Sequence, residues 1–162
     1  RPCYGELKGA LEQAVVAQSE GINFAGAVGG GIAGGMLGAL VWWGFVTITN
    51  IQFGLVAIVI GWAVGKGVVI LSGHKRALSL QLISVAIAAV SYALASYWVI
   101  RTAILDYYAD SGNVVSLPWF PQPDLLFEVV SPTFELFDFV FVAIALWQAW
   151  KMPAPFNLNA GD

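Results

Sequence analysis

The stretch GAVGGGIAGGMLGAL, from Gly26 to Leu40, holds seven glycines in fifteen residues and no polar side chain. In a helix exposed to water, each glycine costs about 1 kcal/mol relative to alanine. In a lipid bilayer this cost can be offset, because glycine lets two helix backbones approach closely and gain van der Waals contact. The stretch therefore predicts a tightly packed membrane helix rather than a helix of a soluble domain.

The composition of the whole chain supports a membrane location. Of its 162 residues, 59% are hydrophobic and 10% are charged, and the mean hydropathy is +0.77. Soluble domains typically carry about 25% charged residues. The net charge is -3 and the sequence contains no basic block, so nucleic acid is not an expected partner. Membrane lipid is.

The apolar segments are long enough for several spans of about 20 residues each. Between Gly21 and Lys75 the only charged residue is Lys66, and a polar cluster at 47–52 divides this interval in two. The segment before it follows acidic residues and is too long for the apolar part of a signal peptide. We predict an all-α, polytopic integral membrane protein with four transmembrane helices, at about 22–48, 52–71, 77–105 and 132–150.

The remaining segments are assigned around these spans. Residues 1–21 form an N-terminal segment, 22–151 the transmembrane domain, and 152–162 a tail. The loop 106–131 lies between the third and fourth spans, and its part 124–130 is too short to cross a bilayer. We expect that part to be a short interfacial helix. Ser131 and Pro132 then form a helix start, with serine as the cap.

Basic residues in short loops predict the orientation, because they favour the cytoplasmic side. His74, Lys75 and Arg76 lie between the second and third spans, and Lys151 follows the fourth. The loop 106–131 has no basic residue. Both termini should therefore be cytoplasmic. On the opposite side, Trp119 and Phe120 should form an aromatic anchor at the membrane interface.

Small residues recur at helical spacing in three of the four predicted spans. Such spacing lines one helix face with groups that allow close backbone contact. The members are Gly26, Gly30, Gly34 and Gly38, with Gly31 and Gly35 beside them, in the first span; Gly61 and Gly65 in the second; and Ser84, Ala88, Ser91 and Ala95 in the third.

These strips admit three interpretations. They could face one another within one compact bundle, which is the usual use of small residues in membrane helices. The glycine helix could also have two usable faces, one for the bundle and one for another integral membrane subunit. A third use of the groove would be to hold a lipid, quinone or pigment, although no particular residue points to one.

Four ionisable residues fall inside the predicted spans, where charge is costly and often functional. Lys66 and Arg101 lie near span ends and can extend toward the headgroups. Glu135 and Asp138 share one face in the first two turns of the fourth span. Asp138 is the deeper group. It is expected to pair with Arg101, with an ion or proton site and a contact to another protein as the alternatives.

Recognised catalytic and metal-binding patterns are missing from the sequence. It has one histidine, His74, and one cysteine, Cys3, whereas transition-metal sites usually need several such ligands. None of the common hydrolase, metalloprotease or nucleotide-binding motifs occurs. We therefore predict no metal, no cofactor and no enzymatic activity.

Several stretches resemble a group of small bacterial multi-span membrane proteins. The similarity lies in the glycine-rich first helix, in GLVAIVIGWAVGK (54–66), in the Ser-Gly-basic turn at 72–76, and in ALWQAWK (145–151) before a proline. It covers roughly residues 26–153 and implies the bacterial inner membrane. Members of the group often carry an N-terminal zinc ribbon, of which Arg1 to Tyr4 would be the tail, but no second cysteine follows. The group has no assigned activity, so the resemblance bears on the fold.

These observations favour a non-enzymatic role. A packing surface that exceeds the needs of one bundle suggests an accessory or scaffold subunit of a larger membrane complex, which it would contact through its glycine-rich faces. The alternative is a small channel or transporter component that acts as a homo-oligomer. A membrane enzyme is the least favoured class, because no residue qualifies as nucleophile or base.

Overall fold

The computed structural model describes residues 2–49, 57–120, 122–124 and 136–155. All regular structure in these residues is helical. The helices are α1 (Pro2–Ser19), α2 (Phe24–Thr49), α3 (Ala57–Leu71), α4 (Leu78–Asp110) and α5 (Leu136–Lys151). The all-α prediction is confirmed.

Helices α2 to α5 form an up-down-up-down bundle. Gly26 of α2 lies against Leu71 of α3, whereas Gly38 lies against Ile60, so α2 and α3 are antiparallel. Helix α4 runs parallel to α2, and α5 runs parallel to α3. Helices α3 and α4 each contact both α2 and α5 as well as each other. The core between the four helices contains Ala27, Ile60, Val64, Val68, Leu80 and Ala95, all almost fully buried.

Two helices of the described chain, α2 and α4, are long and apolar enough to cross a membrane. At 1.5 Å per residue they measure about 39 Å and 50 Å. The four-span prediction is thus met by two helices and not by four. Helix α3 has 15 residues and α5 has 16, which correspond to about 22 Å and 24 Å. Residues 50–56 and 125–135, which precede them, lie outside the described residues.

Left-handed glycines end α3 and α4. After α3, Gly73 has φ 84°, and the amide of His74 donates to the carbonyl of Val69. After α4, Gly112 has φ 74°, and the amide of Asn113 donates to the carbonyl of Tyr108. This six-residue closure is the Schellman motif, which favours glycine at the left-handed position. Helix α4 therefore ends at Asp110, five residues beyond the predicted end of the third span.

Helix α1 was not predicted, since residues 1–21 were assigned only as an N-terminal segment. Its described side chains are largely exposed, so packing contributes little to it. Gly21, with φ 66°, separates it from α2. The side chain of Asn23 then caps α2 by accepting a hydrogen bond from the amide of Gly26 at 2.9 Å.

Some predicted features fall outside the described residues. These are the interfacial helix 124–130 apart from Asp124, the start of the fourth span at 132–135, which includes Glu135, and most of the tail 152–162.

Candidate packing, charge and interface sites

The first glycine strip of α2 lies directly against the backbone of α3. A Cβ atom added at Gly26, Gly30 or Gly34 would collide with a main-chain carbonyl oxygen of α3, that of Leu71, Gly67 or Ala63 respectively. At Gly38 the added atom would lie 3.0 Å from the Cα of Ile60. We call this contact the glycine seam. Its helices touch through main-chain atoms, so it has no room for any side chain larger than hydrogen.

Gly67 is a member of the glycine seam that the sequence analysis missed. Its added Cβ would collide with the carbonyl of Gly30, just as that of Gly30 collides with Gly67. Because Gly65 and Gly67 are two residues apart, they lie on nearly opposite sides of α3. That spacing was visible in the sequence and could have identified a second small face on α3.

The other small face of α3 packs against α5. A Cβ at Gly61 would collide with the carbonyl of Ala145, and one at Gly65 would lie 2.7 Å from the Cβ of Met152. Ala145 and Ala149 are themselves buried. Helix α3 is therefore held closely on two sides, by α2 and by α5.

The second glycine strip of α2 packs against α4 of the same chain. A Cβ at Gly31 would lie 2.6 Å from the Cδ1 of Ile87, and one at Gly35 would collide with the hydroxyl of Ser91. The small residues of α4 are all buried there: Ser84, Ala88, Ser91 and Ala95. Gly31 and Gly35 therefore serve packing within the bundle, and the hypothesis that a second face of the glycine helix contacts another subunit stays a prediction. Among the α2 glycines, Gly29 and Gly44 have open space around them.

Arg101 is bound by the chain that follows α4. We call residues 113–120 the strap, because they run back along the end of α4. The Nη2 atom of Arg101 donates to the carbonyl of Leu117 at 2.9 Å, and its Nε lies 3.1 Å from the carbonyls of Leu117 and Pro118. The hydrogen bonds of Arg101 are therefore with the strap, and the predicted pair with Asp138 is not formed.

Two further α4 side chains hold the strap. The hydroxyl of Tyr97 donates to the carbonyl of Pro118 at 2.8 Å, and the Nε1 of Trp98 donates to the carbonyl of Trp119 at 3.0 Å. Both side chains are buried. Three consecutive carbonyls of the strap are thus satisfied by α4, which the sequence analysis did not anticipate.

The predicted aromatic anchor lies on the strap and is exposed. Trp119 and Phe120 are 61% and 72% accessible. The Trp119 ring lies beneath the guanidinium of Arg101, with 4.4 Å between the Arg101 Cζ and the ring centroid. The strap therefore fixes an aromatic pair and a cation at one end of the bundle.

Lys66 is exposed on α3, with its amine 5.9 Å from the ring centroid of Trp62. Lys151 makes a similar contact with Trp147, at 4.7 Å. Each lysine lies four residues after its tryptophan on the same helix, where side chains are neighbours. Both lie toward the opposite end of the bundle from the strap.

Asp138 is partly buried on the α5 face that also carries Ala145, seven residues later. It lies within electrostatic range of Tyr92 of α4, whose side chain is hydrogen-bonded to Ser96. The ring of Tyr92 packs on that of Trp42 with centroids 5.2 Å apart. The indole Nε1 of Trp42 is buried and has no hydrogen-bond partner among the residues that the structure describes. This polar cluster joins α2, α4 and α5 near the strap end.

The basic turn connects three segments at the opposite end. The Nη1 of Arg76 donates to the carbonyls of Met152 and Ala154, and its amide donates to the carbonyl of Gln18. Lys75 donates to the carbonyl of Ala17 at 2.8 Å. The turn therefore fastens the end of α1 and the residues after α5, besides carrying the charge that predicts orientation.

The outward face of α5 carries an open apolar groove of about 490 Å³. Ala143 has the smallest side chain among its lining residues and is exposed. Its lining residues are Leu136, Phe139, Val140, Ala143, Ile144 and Trp147.

No group of three or more potential metal ligands occurs among the residues that the structure describes. Comparisons with models of protein families, with curated proteins and with solved structures found no match.

Proposed function

We propose that this chain is a membrane-embedded accessory or scaffold subunit that packs against a larger membrane protein complex and performs no chemistry of its own. The observation that carries the proposal is the α5 groove, an open apolar surface on the outside of a bundle whose two α2 glycine strips already contact α3 and α4. Lipid-facing helices need only be apolar, whereas a groove whose lining includes a small residue, Ala143, suits a side chain from a partner helix.

The proposal includes four spans, with α3 and α5 crossing together with α2 and α4. It is supported by the close backbone contacts that hold α3 between α2 and α5. Lys75, Arg76 and Lys151 lie at one end of the bundle, whereas Asp106 and Asp110 follow the other. By the positive-inside rule, the first end and both termini are cytoplasmic. The resemblance to bacterial proteins suggests the inner membrane.

The experiment is to purify the tagged chain from native membranes in mild detergent and to identify by mass spectrometry what is recovered with it. We expect stoichiometric recovery of the subunits of one complex. Ala143→Phe should fill the groove and abolish that recovery. Ala89→Phe, an equal change at an exposed position of α4, is the matched control and should leave it intact.

Recovery of the chain alone from every preparation, or equal recovery with both variants, would contradict the proposal. Folding of each variant is checked by circular dichroism and by gel filtration, so that a loss of partners is not confused with a loss of structure.

A second candidate function is a channel or transporter component that acts as a homo-oligomer. The observation that favours it is the cluster of Asp138, Tyr92, Ser96 and Trp42, because ionisable groups within a membrane helix commonly mark ion or proton pathways. Asp138→Asn should abolish ion or proton flux into proteoliposomes if this candidate is right. It should leave complex assembly unchanged if the chain is an accessory subunit.

A further inference from the structure

The guanidinium of Arg101 keeps part of its hydrogen-bonding capacity unused. Its Nε and Nη2 donate to strap carbonyls. Its Nη1 has no hydrogen-bond partner among the described residues, and no described carboxylate forms an ion pair with the group. Neutral carbonyls accept hydrogen bonds but supply no compensating charge. A fixed cation therefore presents one free edge.

The surroundings of Arg101 are those of a membrane interface. The next residue, Thr102, accepts a hydrogen bond from the indole of Trp43 at 2.9 Å, so the group lies level with the C-terminal part of α2. Beyond it, the last turns of α4 are exposed and carry Asp106 and Asp110. Exposed Trp119 and Phe120 lie beside it. Amphipathic aromatic rings concentrate where acyl chains meet headgroups.

We propose that Arg101, with Trp119, forms a binding site for the phosphodiester of a phospholipid headgroup. Arginine binds phosphate with charge-assisted hydrogen bonds, and here two N–H groups on Nη1 are available for it. The hydrogen bonds to the strap fix the plane of the guanidinium before lipid binds, so little side-chain entropy remains to be lost. The exposed ring of Trp119 would lie along the first part of the acyl chain. The proposal rests on the membrane location, not on the accessory role.

The two lysine–tryptophan pairs provide a contrast within the same molecule. Lys66 and Lys151 also lie over exposed tryptophan rings. Neither amine has a hydrogen bond to a described residue that fixes its position, and an ammonium group on a flexible stem acts as a point charge. We expect these pairs to meet headgroups without retaining one particular lipid. Lys151→Gln is therefore the control for loss of a charge beside tryptophan.

The test is native mass spectrometry of the full chain, released from detergent that contains phosphatidylglycerol. We expect one retained lipid per chain, and Arg101→Gln should lower the 1:1 adduct about tenfold, as loss of a hydrogen bond to a charged group predicts. Lys151→Gln should retain it. Diacylglycerol with the same acyl chains should not be retained, because it lacks the phosphate. Added inorganic phosphate should not displace the lipid, since it offers no acyl chain to Trp119.

Trp98→Phe distinguishes lipid binding from a mere loss of strap structure. It removes one strap hydrogen bond but keeps Arg101, so the adduct should persist. If the adduct is lost in both single variants, Trp98→Phe and Arg101→Gln, retention depends on the fold of the strap. That result would overturn the site. Equal retention in wild type and Arg101→Gln, or retention of diacylglycerol, would also overturn it. The accessory role is tested separately, by Ala143→Phe.

Discussion

The glycine seam and the strap fix their segments by opposite means. In the seam, α2 and α3 touch through main-chain atoms, and stability depends on the absence of side chains at Gly30, Gly34 and Gly67. At the strap, stability depends on side chains that are present, namely the donors of Tyr97, Trp98 and Arg101. The seam should therefore tolerate almost no substitution. At the strap, substitution of a single-bond donor such as Tyr97 or Trp98 should remove one hydrogen bond and leave the others in place.

The largest effect is expected from Gly34→Leu. A leucine at this position would have to displace the backbone of α3 at Ala63, which a packed helix pair cannot accommodate locally. We expect destabilisation of at least about 3 kcal/mol, at or beyond the usual range for overpacking. Unfolding in detergent, followed by circular dichroism, measures it. A variant as stable as wild type would show that the seam does not hold the bundle.

A smaller change separates the seam from the rest of α2. Gly30→Ala should destabilise the protein by about 1–3 kcal/mol, because its added methyl group collides with the Gly67 carbonyl. Gly29→Ala, one residue away and in open space, should be neutral or stabilising by up to about 1 kcal/mol. The same unfolding assay compares them. Equal effects would remove the distinction between the two faces.

Tyr97→Phe tests the strap. It deletes one hydrogen bond, to the carbonyl of Pro118, and keeps the ring in its buried place. We expect a loss of about 1 kcal/mol, together with faster amide hydrogen exchange in residues 113–120. Exchange in α2 and α3 should not change. If exchange accelerates throughout the bundle instead, the strap is part of the core rather than a separately fixed segment.

The smallest effect is expected from Lys66→Gln. The ammonium group is exposed and its contact with Trp62 is long, so its removal should cost about 0.5 kcal/mol or less. Unfolding in detergent measures this change as well. A loss as large as that of Tyr97→Phe would mean that Lys66 has a structural role that its exposure does not suggest.

The sequence alone was enough to predict the helical bundle and most residues of its contacts. Glycines four apart, such as Gly26 and Gly30, indicate a face for close packing whatever the partner. They do not identify that partner, because close backbone contact requires small residues whether the other helix belongs to the same chain or to another subunit. For this reason the sequence left open whether Gly31 and Gly35 contact a helix of the same chain or of another subunit, and the structure shows them against α4 of the same chain.

The strap was not predictable, for a different physical reason. Its acceptors are main-chain carbonyls, which every residue possesses and no sequence pattern marks. In the sequence, Tyr97 and Trp98 do not differ from the other aromatic residues of a predicted membrane helix. Arg101 suggests an ion pair with a carboxylate. Only the path of residues 113–120 shows that neutral oxygens hold all three. The α5 groove was likewise invisible, because it depends on side-chain shape around Ala143.

The central claim is that the glycine seam lies within one chain. A Cβ at Gly38 would lie 3.5 Å from the Cβ of Ile60, which is within the range of disulfide geometry. The most direct measurement is therefore oxidation of Gly38→Cys with Ile60→Cys, in a Cys3→Ser background, followed by non-reducing electrophoresis. We predict a cross-linked monomer, and no cross-link for Gly29→Cys with Ile60→Cys. A disulfide-linked dimer would place the seam between subunits and contradict the account.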